Sequence, residues 1–195
     1  MTMNRTNALL AAAACLSLSG CLGGPKAPAE LLTLTSTQVR APGEARAAEQ
    51  GRVITVISPT VPQAISNTRV PVYLSPTSIQ YLKDSQWIEK PNELFRQLLS
   101  ETLAAQTGWV VLDPSVYTQV QGVVLGGQLL TFGFDPNRME AVVQFDANLA
   151  RPQQAVATRR FEARVPVTAA DRTQIAPALN QAANQVAADV AAWAG

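Results

Sequence analysis

Leu129-Leu130-Thr131-Phe132-Gly133-Phe134-Asp135-Pro136-Asn137-Arg138-Met139-Glu140-Ala141-Val142-Val143-Gln144-Phe145 is the stretch on which the fold turns. Asp135-Pro136-Asn137 supplies a tight hairpin turn, and Ala141, Val143 and Phe145 alternate beyond it at the two-residue period of a strand. Upstream the strand extends back to Gln119. It contains Gly122, Gly126 and Gly127, which mark a bulge or a close backbone approach. Downstream, Met139 to Ala150 completes the second strand, Arg151-Pro152-Gln153-Gln154 turns the chain, and Ala155 to Val165 returns. Gln119–Val165 is therefore expected to form a three-stranded antiparallel meander.

Two helical periodicities flank this sheet. From Pro91 to Gln106 the apolar residues Leu94, Phe95, Leu98, Leu99, Thr102 and Leu103 recur at spacings of three and four. Pro91 suits the first helical position and Gly108 ends the pattern. At the end of the chain Ile175, Leu179, Ala182, Val186, Val190 and Trp193 repeat the same spacing from about Thr173. Pro177 must lie in the first turn or kink the helix.

Before the first helix, four short runs read as strands. Leu31-Leu32-Thr33-Leu34-Thr35 and Val53-Ile54-Thr55-Val56-Ile57 are apolar and rich in β-branched residues. Val70-Pro71-Val72-Tyr73-Leu74 reads as an edge strand or extended segment because proline cannot donate to a ladder. Ile79-Gln80-Tyr81-Leu82 can pair with it as a hairpin across Ser75-Pro76-Thr77-Ser78. Trp109-Val110-Val111-Leu112 adds a further strand after the first helix, and Gln38–Gly51 reads as an exposed loop. The expected fold is α+β: an antiparallel or mixed sheet with two amphipathic helices packed on it.

Ahead of this domain, a short polar segment with Arg5 precedes an apolar run from Ala8 to Leu18, and Leu18-Ser19-Gly20-Cys21 closes it. The run is too short to cross the roughly 30 Å hydrocarbon core, which needs about 20 apolar residues in a helix. A positive start, an apolar middle and small residues at the exit make an export signal. The final four residues resemble the lipobox of bacterial lipoproteins, with Leu18, Ser19 and Gly20 read by the signal peptidase. The resemblance implies cleavage after Gly20 and acyl chains, palmitate among them, on Cys21. Residue Leu22 is not the aspartate that resembles an inner-membrane retention signal, which favours the outer membrane. The chain then divides into a signal peptide (1–20), a lipid-anchored tether (21–30) rich in Gly, Pro and Ala, and a domain (31–195).

Loss of the signal removes Arg5 and Cys15, leaving 14 basic residues against 14 acidic ones, a formal net charge of zero. Scattered, balanced charge gives no electrostatic footprint for nucleic acid. Cys21 becomes the single cysteine, so the 175-residue mature chain must be held by its core without an internal disulfide. Histidine is absent, which excludes Ser-His-Asp and Cys-His catalysis and histidine-ligated zinc or haem. Gly126-Gly127 lacks the G-K-[ST] of a phosphate loop, and the carboxylates Asp84, Asp113, Asp135, Asp146 and Asp171 are dispersed beside turns. No catalytic residue, metal ligand or cofactor is assigned. Trp109 and Trp193 fit the apolar patterns of their elements. Trp87, in a loop with Ile88, is either a hydrophobic staple onto Leu94 or a contact for a partner, the staple being favoured.

The arrangement resembles a known family, the auxiliary lipoproteins of ABC transporters that move lipids with MCE (mammalian cell entry) domain proteins, the paraquat-inducible C-like lipoproteins among them. The residues that carry the likeness are the lipobox, Leu31-Leu32-Thr33-Leu34, Arg69-Val70-Pro71-Val72-Tyr73-Leu74 and Ile79-Gln80-Tyr81. Trp87, Pro91, Leu94, Leu98 and Leu103 follow, then Phe132, Arg160-Phe161 and Ala192-Trp193. The resemblance implies a non-enzymatic component anchored at the periplasmic face of the outer membrane. There it docks an MCE-domain protein and, through it, an ABC permease and ATPase. Some members of the family form ring-like homo-oligomers, which leaves self-association open. The alternative is a lipid-carrying or outer-membrane assembly lipoprotein that works without a transporter. That reading requires an apolar cavity rather than a filled core.

Overall fold

The computed structural model describes residues 30–43, 52–114 and 122–195. The lipobox, Cys21 and the rest of the tether lie outside the described residues, as do parts of the loop expected over 38–51 and the first residues of the strand expected from Gln119.

The meander forms as the alternation requires. Strand β5 (Val123–Asp135) pairs antiparallel with β6 (Glu140–Ala150), and β6 with β7 (Ala157–Pro166). The other edge of β5 is shared. At its start it pairs in parallel with β1 (Val53–Val56), Val56 lying opposite Leu125; β1 in turn carries β4 (Val110–Leu112). At its end, Phe134 of β5 lies opposite Val72 of β2 (Arg69–Ser75), which carries β3 (Ser78–Gln86). Thr60 bridges the gap, its N–H donating to the Gly127 carbonyl at 3.0 Å and its carbonyl accepting from Leu129 at 2.9 Å. The described residues thus form one seven-stranded mixed sheet with β5 as its spine.

Two details differ from the sequence expectation, and a third decides between alternatives it left open. First, β2 is not an edge strand, although it contains Pro71. The Pro71 carbonyl points to Gly133 of β5, and β2 pairs with β5 only at Val72–Phe134, so the missing N–H falls where that ladder is a single bridge long. Second, Leu31–Thr35 is extended but forms no strand; its sheet pairing is a single bridge from Leu32 to Trp87. Third, the register shift in β5 falls between Leu129 and Thr131, not at a glycine. Close approach is what the glycines serve: a Cβ on Gly127, whose φ is +142°, would lie 1.9 Å from the Asp146 carbonyl oxygen.

Helix α1 (Pro91–Gln106) buries the six apolar-face residues read from the sequence and ends at Thr107. Helix α2 (Arg172–Ala194) begins at an Asp171 cap, one residue earlier than expected, and continues through Pro177 in its second turn. Both helices cover one face of the sheet. Phe95 of α1 meets Phe145 edge-on at 5.2 Å between ring centres, and Trp193 of α2 meets Phe161 at 5.6 Å. The interior is filled by Trp87, Phe132, Phe134, Leu99, Leu103, Leu125 and Leu129, each fully buried. The opposite face is a polar ladder in which Arg160 grips Asp146 through two hydrogen bonds of 2.6 and 2.7 Å. Among the described residues no helix is long and apolar enough to cross a membrane.

Candidate functional site

The chain enters the domain along the helix pair. Glu30 forms an ion pair with Arg172 in the first turn of α2 at 2.8 Å. Leu32 then donates to the Gln86 carbonyl and accepts from Ile88, both at 2.8 Å, while Leu32 and Leu34 pack on the core. From Thr35 the partners change to α2. The Thr35 N–H donates to Asn180 Oδ1 at 2.8 Å, and the Thr37 N–H donates to Asn184 Oδ1 at 2.8 Å. Ser36 reaches Thr102 of α1 at 3.5 Å. Residues 30–37 are thus a strap that rises along α1 and α2 and fastens to both.

Asn184 is the strap's main fixing point. Its Oδ1 accepts from the Thr37 N–H and from the Thr37 hydroxyl at 3.1 Å. Its Nδ2 donates to the Thr35 carbonyl at 2.9 Å and to the Asn180 carbonyl at 2.8 Å. Two donors and two acceptors are all a carboxamide can offer, so this buried side chain is fully satisfied. Asn180 and Asn184 escaped the sequence reading. The signal was two asparagines four residues apart in an Ala-rich helix, a spacing that puts both on one face.

The strap also gives the domain a polarity. Thr102 and Asn184 meet it at one level, and Gly195 lies against Thr107 just beyond α1, so the two helices run in the same direction. The N-terminus of α2 adjoins Glu30, and the approach to α1 adjoins Leu32 through Ile88. Their C-termini, about 33 Å away at 1.5 Å per residue of α2, flank an open cleft of ≈ 570 Å³ lined by Arg52, Thr107, Trp109 and Gly195. There Trp109 Nε1 donates to the Ala194 carbonyl at 3.2 Å and Arg151 donates to the same oxygen at 3.1 Å. Cations and N–H groups suit the negative end of a helix. Trp109 and Trp193 are half-buried rather than fully enclosed.

Trp87 lies in the core, 1% exposed, with its ring edge-on to Phe132 at 5.4 Å. It does not act as a staple, because the α1 cap is Lys90 and the position before the cap is Glu89. A partner could not touch the ring there; the apolar side chain that this turn presents to solvent is Ile88, 58% exposed. The dispersed aspartates have local tasks. Asp113 pairs with Arg96 at 3.2 Å, Asp135 accepts from Asn137 in its turn, Asp146 pairs with Arg160, and Asp84 sits at a φ of +50° in the irregular part of β3. Asp171 caps α2. Its carboxylate accepts from the Thr173 hydroxyl and from the Thr173 and Gln174 N–H groups, and these bonds, the hydroxyl's first, hold it below the ordinary aspartate range. Among the described residues no group of three or more carboxylate or thiol side chains is placed to hold a metal ion.

A family model described as the ABC-type transport auxiliary lipoprotein component matches residues 32–191. No curated protein matches the chain. Among solved structures, protein XCC0632 of Xanthomonas campestris superposes with a TM-score of 0.67 at 19% identity, covering 84% of this chain and 94% of its own. The crystal structure of an uncharacterized protein gives a TM-score of 0.65 at 17% identity, over 85% of this chain and 100% of its own. Both show the same fold.

Proposed function

The chain belongs to the ABC-type transport auxiliary lipoprotein family, and from that premise we propose that it is a non-catalytic docking component of an MCE-type lipid transporter. Acyl chains on Cys21 hold it at the periplasmic face of the outer membrane. Its folded surface receives the end of an MCE-domain protein, whose ABC permease and ATPase act at the inner membrane. Several acyl chains give durable attachment, since each buried CH₂ contributes about 0.8 kcal/mol and a single chain is marginal.

The observation that carries this reading is the strap. A sequence that fastens the residues next to its tether to α2 through a fully satisfied Asn184, and to α1 through Thr102, transmits the position of an anchor to a rigid body. The tether from Cys21 to Glu30 reaches at most about 30 Å, so the strap end of the domain stays within that distance of the membrane. The filled interior supports docking over lipid carriage.

The test is co-purification. Detergent extracts in which an MCE-domain protein brings down its ATPase should also bring down this chain; extracts that keep the ATPase and lose this chain would contradict the proposal. Native mass spectrometry of the soluble Cys21→Ser protein separates docking from carriage, because a carrier retains lipid.

A further inference from the structure

At the start of the strap, two neighbouring apolar side chains are open to solvent: Leu31 is 50% exposed and Ile88 58% exposed. They belong to one feature. Leu32 bridges Trp87 in parallel, and the side chains of Leu32 and Trp87 turn inward. Because side chains alternate along extended chain, Leu31, Thr33 and Ile88 project from the other side of that bridge. The charges around it are balanced: Glu30 is paired with Arg172, and Glu89 adjoins Lys90. A neutral apolar knob does not suit a charged macromolecular partner.

We propose that Leu31 and Ile88 make a second, apolar contact with the lipid surface that holds the protein's own acyl chains. The inference rests on the reading of Cys21 as the lipidated residue. What selects a lipid surface over other occupants is the length of chain between the two features. Leu31 is ten residues from Cys21, so the knob is confined within a few tens of ångströms of the bilayer. Confinement makes insertion an intramolecular step at high effective concentration, and two modest apolar side chains then suffice where they would fail from free solution. The contact fixes the tilt of the domain and directs the far-end cleft away from the membrane. It demands no anionic lipid, because the surrounding charge is balanced.

The experiment uses the full mature lipoprotein in vesicles of phosphatidylcholine bearing nitroxide-labelled acyl chains. A diacylglyceryl group blocks the thiol of Cys21, so Ile88→Cys supplies the one thiol open to a fluorescent label. Val156→Cys is the control. Val156 is 59% exposed and lies in the β6–β7 connection, where Arg151 meets the C-terminal end of α2. The label at 88 should be quenched several-fold more than the label at 156, equally in low and high salt, and Leu31→Ser should reduce that quenching. Equal quenching at the two positions overturns the contact while leaving the anchor intact. Two labels per chain by intact mass would show a free Cys21 and overturn the anchor itself. Shielding of the label at 88 in lipid-free protein, rising with protein concentration, would assign the knob to a second copy and overturn the lipid contact.

Discussion

Asn184 connects the strap to α2 through three hydrogen bonds, gives its fourth to the Asn180 carbonyl and has no spare capacity. Its truncation leaves the Thr37 N–H and the Thr35 carbonyl beside an apolar helix face. Asn184→Ala should therefore lower stability by about 2 kcal/mol, read by urea denaturation of the soluble Cys21→Ser protein. Asn180→Ala, at a more exposed position, should cost less. The capping carboxylate of Asp171 works in the opposite corner of pH. Its folded pKa lies below the unfolded one, so its contribution is present above the ordinary aspartate range and is lost as pH falls through the lowered value. Melting temperature should fall on acidification through that window, and Asp171→Asn should flatten the acid limb. Sequence could show an asparagine pair interrupting an alanine helix, but not what it holds: the bonded strap residues lie some 145 residues upstream.

At the level of elements, the meander and both helices were legible because each repeats its own period over ten residues or more. Extended backbone was also legible in Leu31–Thr35, where Leu32, Leu34 and Ser36 alternate with more exposed neighbours. Beyond the single bridge at Leu32, however, its hydrogen bonds go from Thr35 to asparagine side chains of a helix instead of a neighbouring strand, and local pattern does not distinguish those partners. The same limit explains β2. Proline rules out a regular interior ladder, but Pro71 turns its backbone toward β5, where β2 pairs only at Val72–Phe134, so the place of the partner strand admits it inside the sheet. For the glycines of β5 the sequence left a bulge or a close approach open, and the spacing to neighbouring backbone decides between them. Gly127→Ala forces a Cβ against the Asp146 carbonyl at a left-handed φ and should destabilise by about 3 kcal/mol. Gly126→Ala meets only the side chain of the half-exposed Ile57, which can turn aside, and should cost about 1 kcal/mol or less. Paired thermal melts of the two variants measure the difference.

The described domain has two ends: the start of the strap at Glu30 and the helix N-termini at one, an open cleft and two helix C-termini at the other. Export and lipidation signals are local patterns, so the tether is read from residues 1–30 of the sequence alone and lies mostly outside the described residues. The direction of the helices relative to it depends on the path of the strap, which only the folded chain defines. On this account function is positional, and the residue that sets position is Cys21. The most direct test is complementation of a strain lacking the protein by the Cys21→Ser variant, with the soluble variant's circular dichroism and melting curve recorded in parallel. The account predicts an intact fold, release from the membrane fraction and loss of function. Full complementation by the unlipidated protein would contradict it.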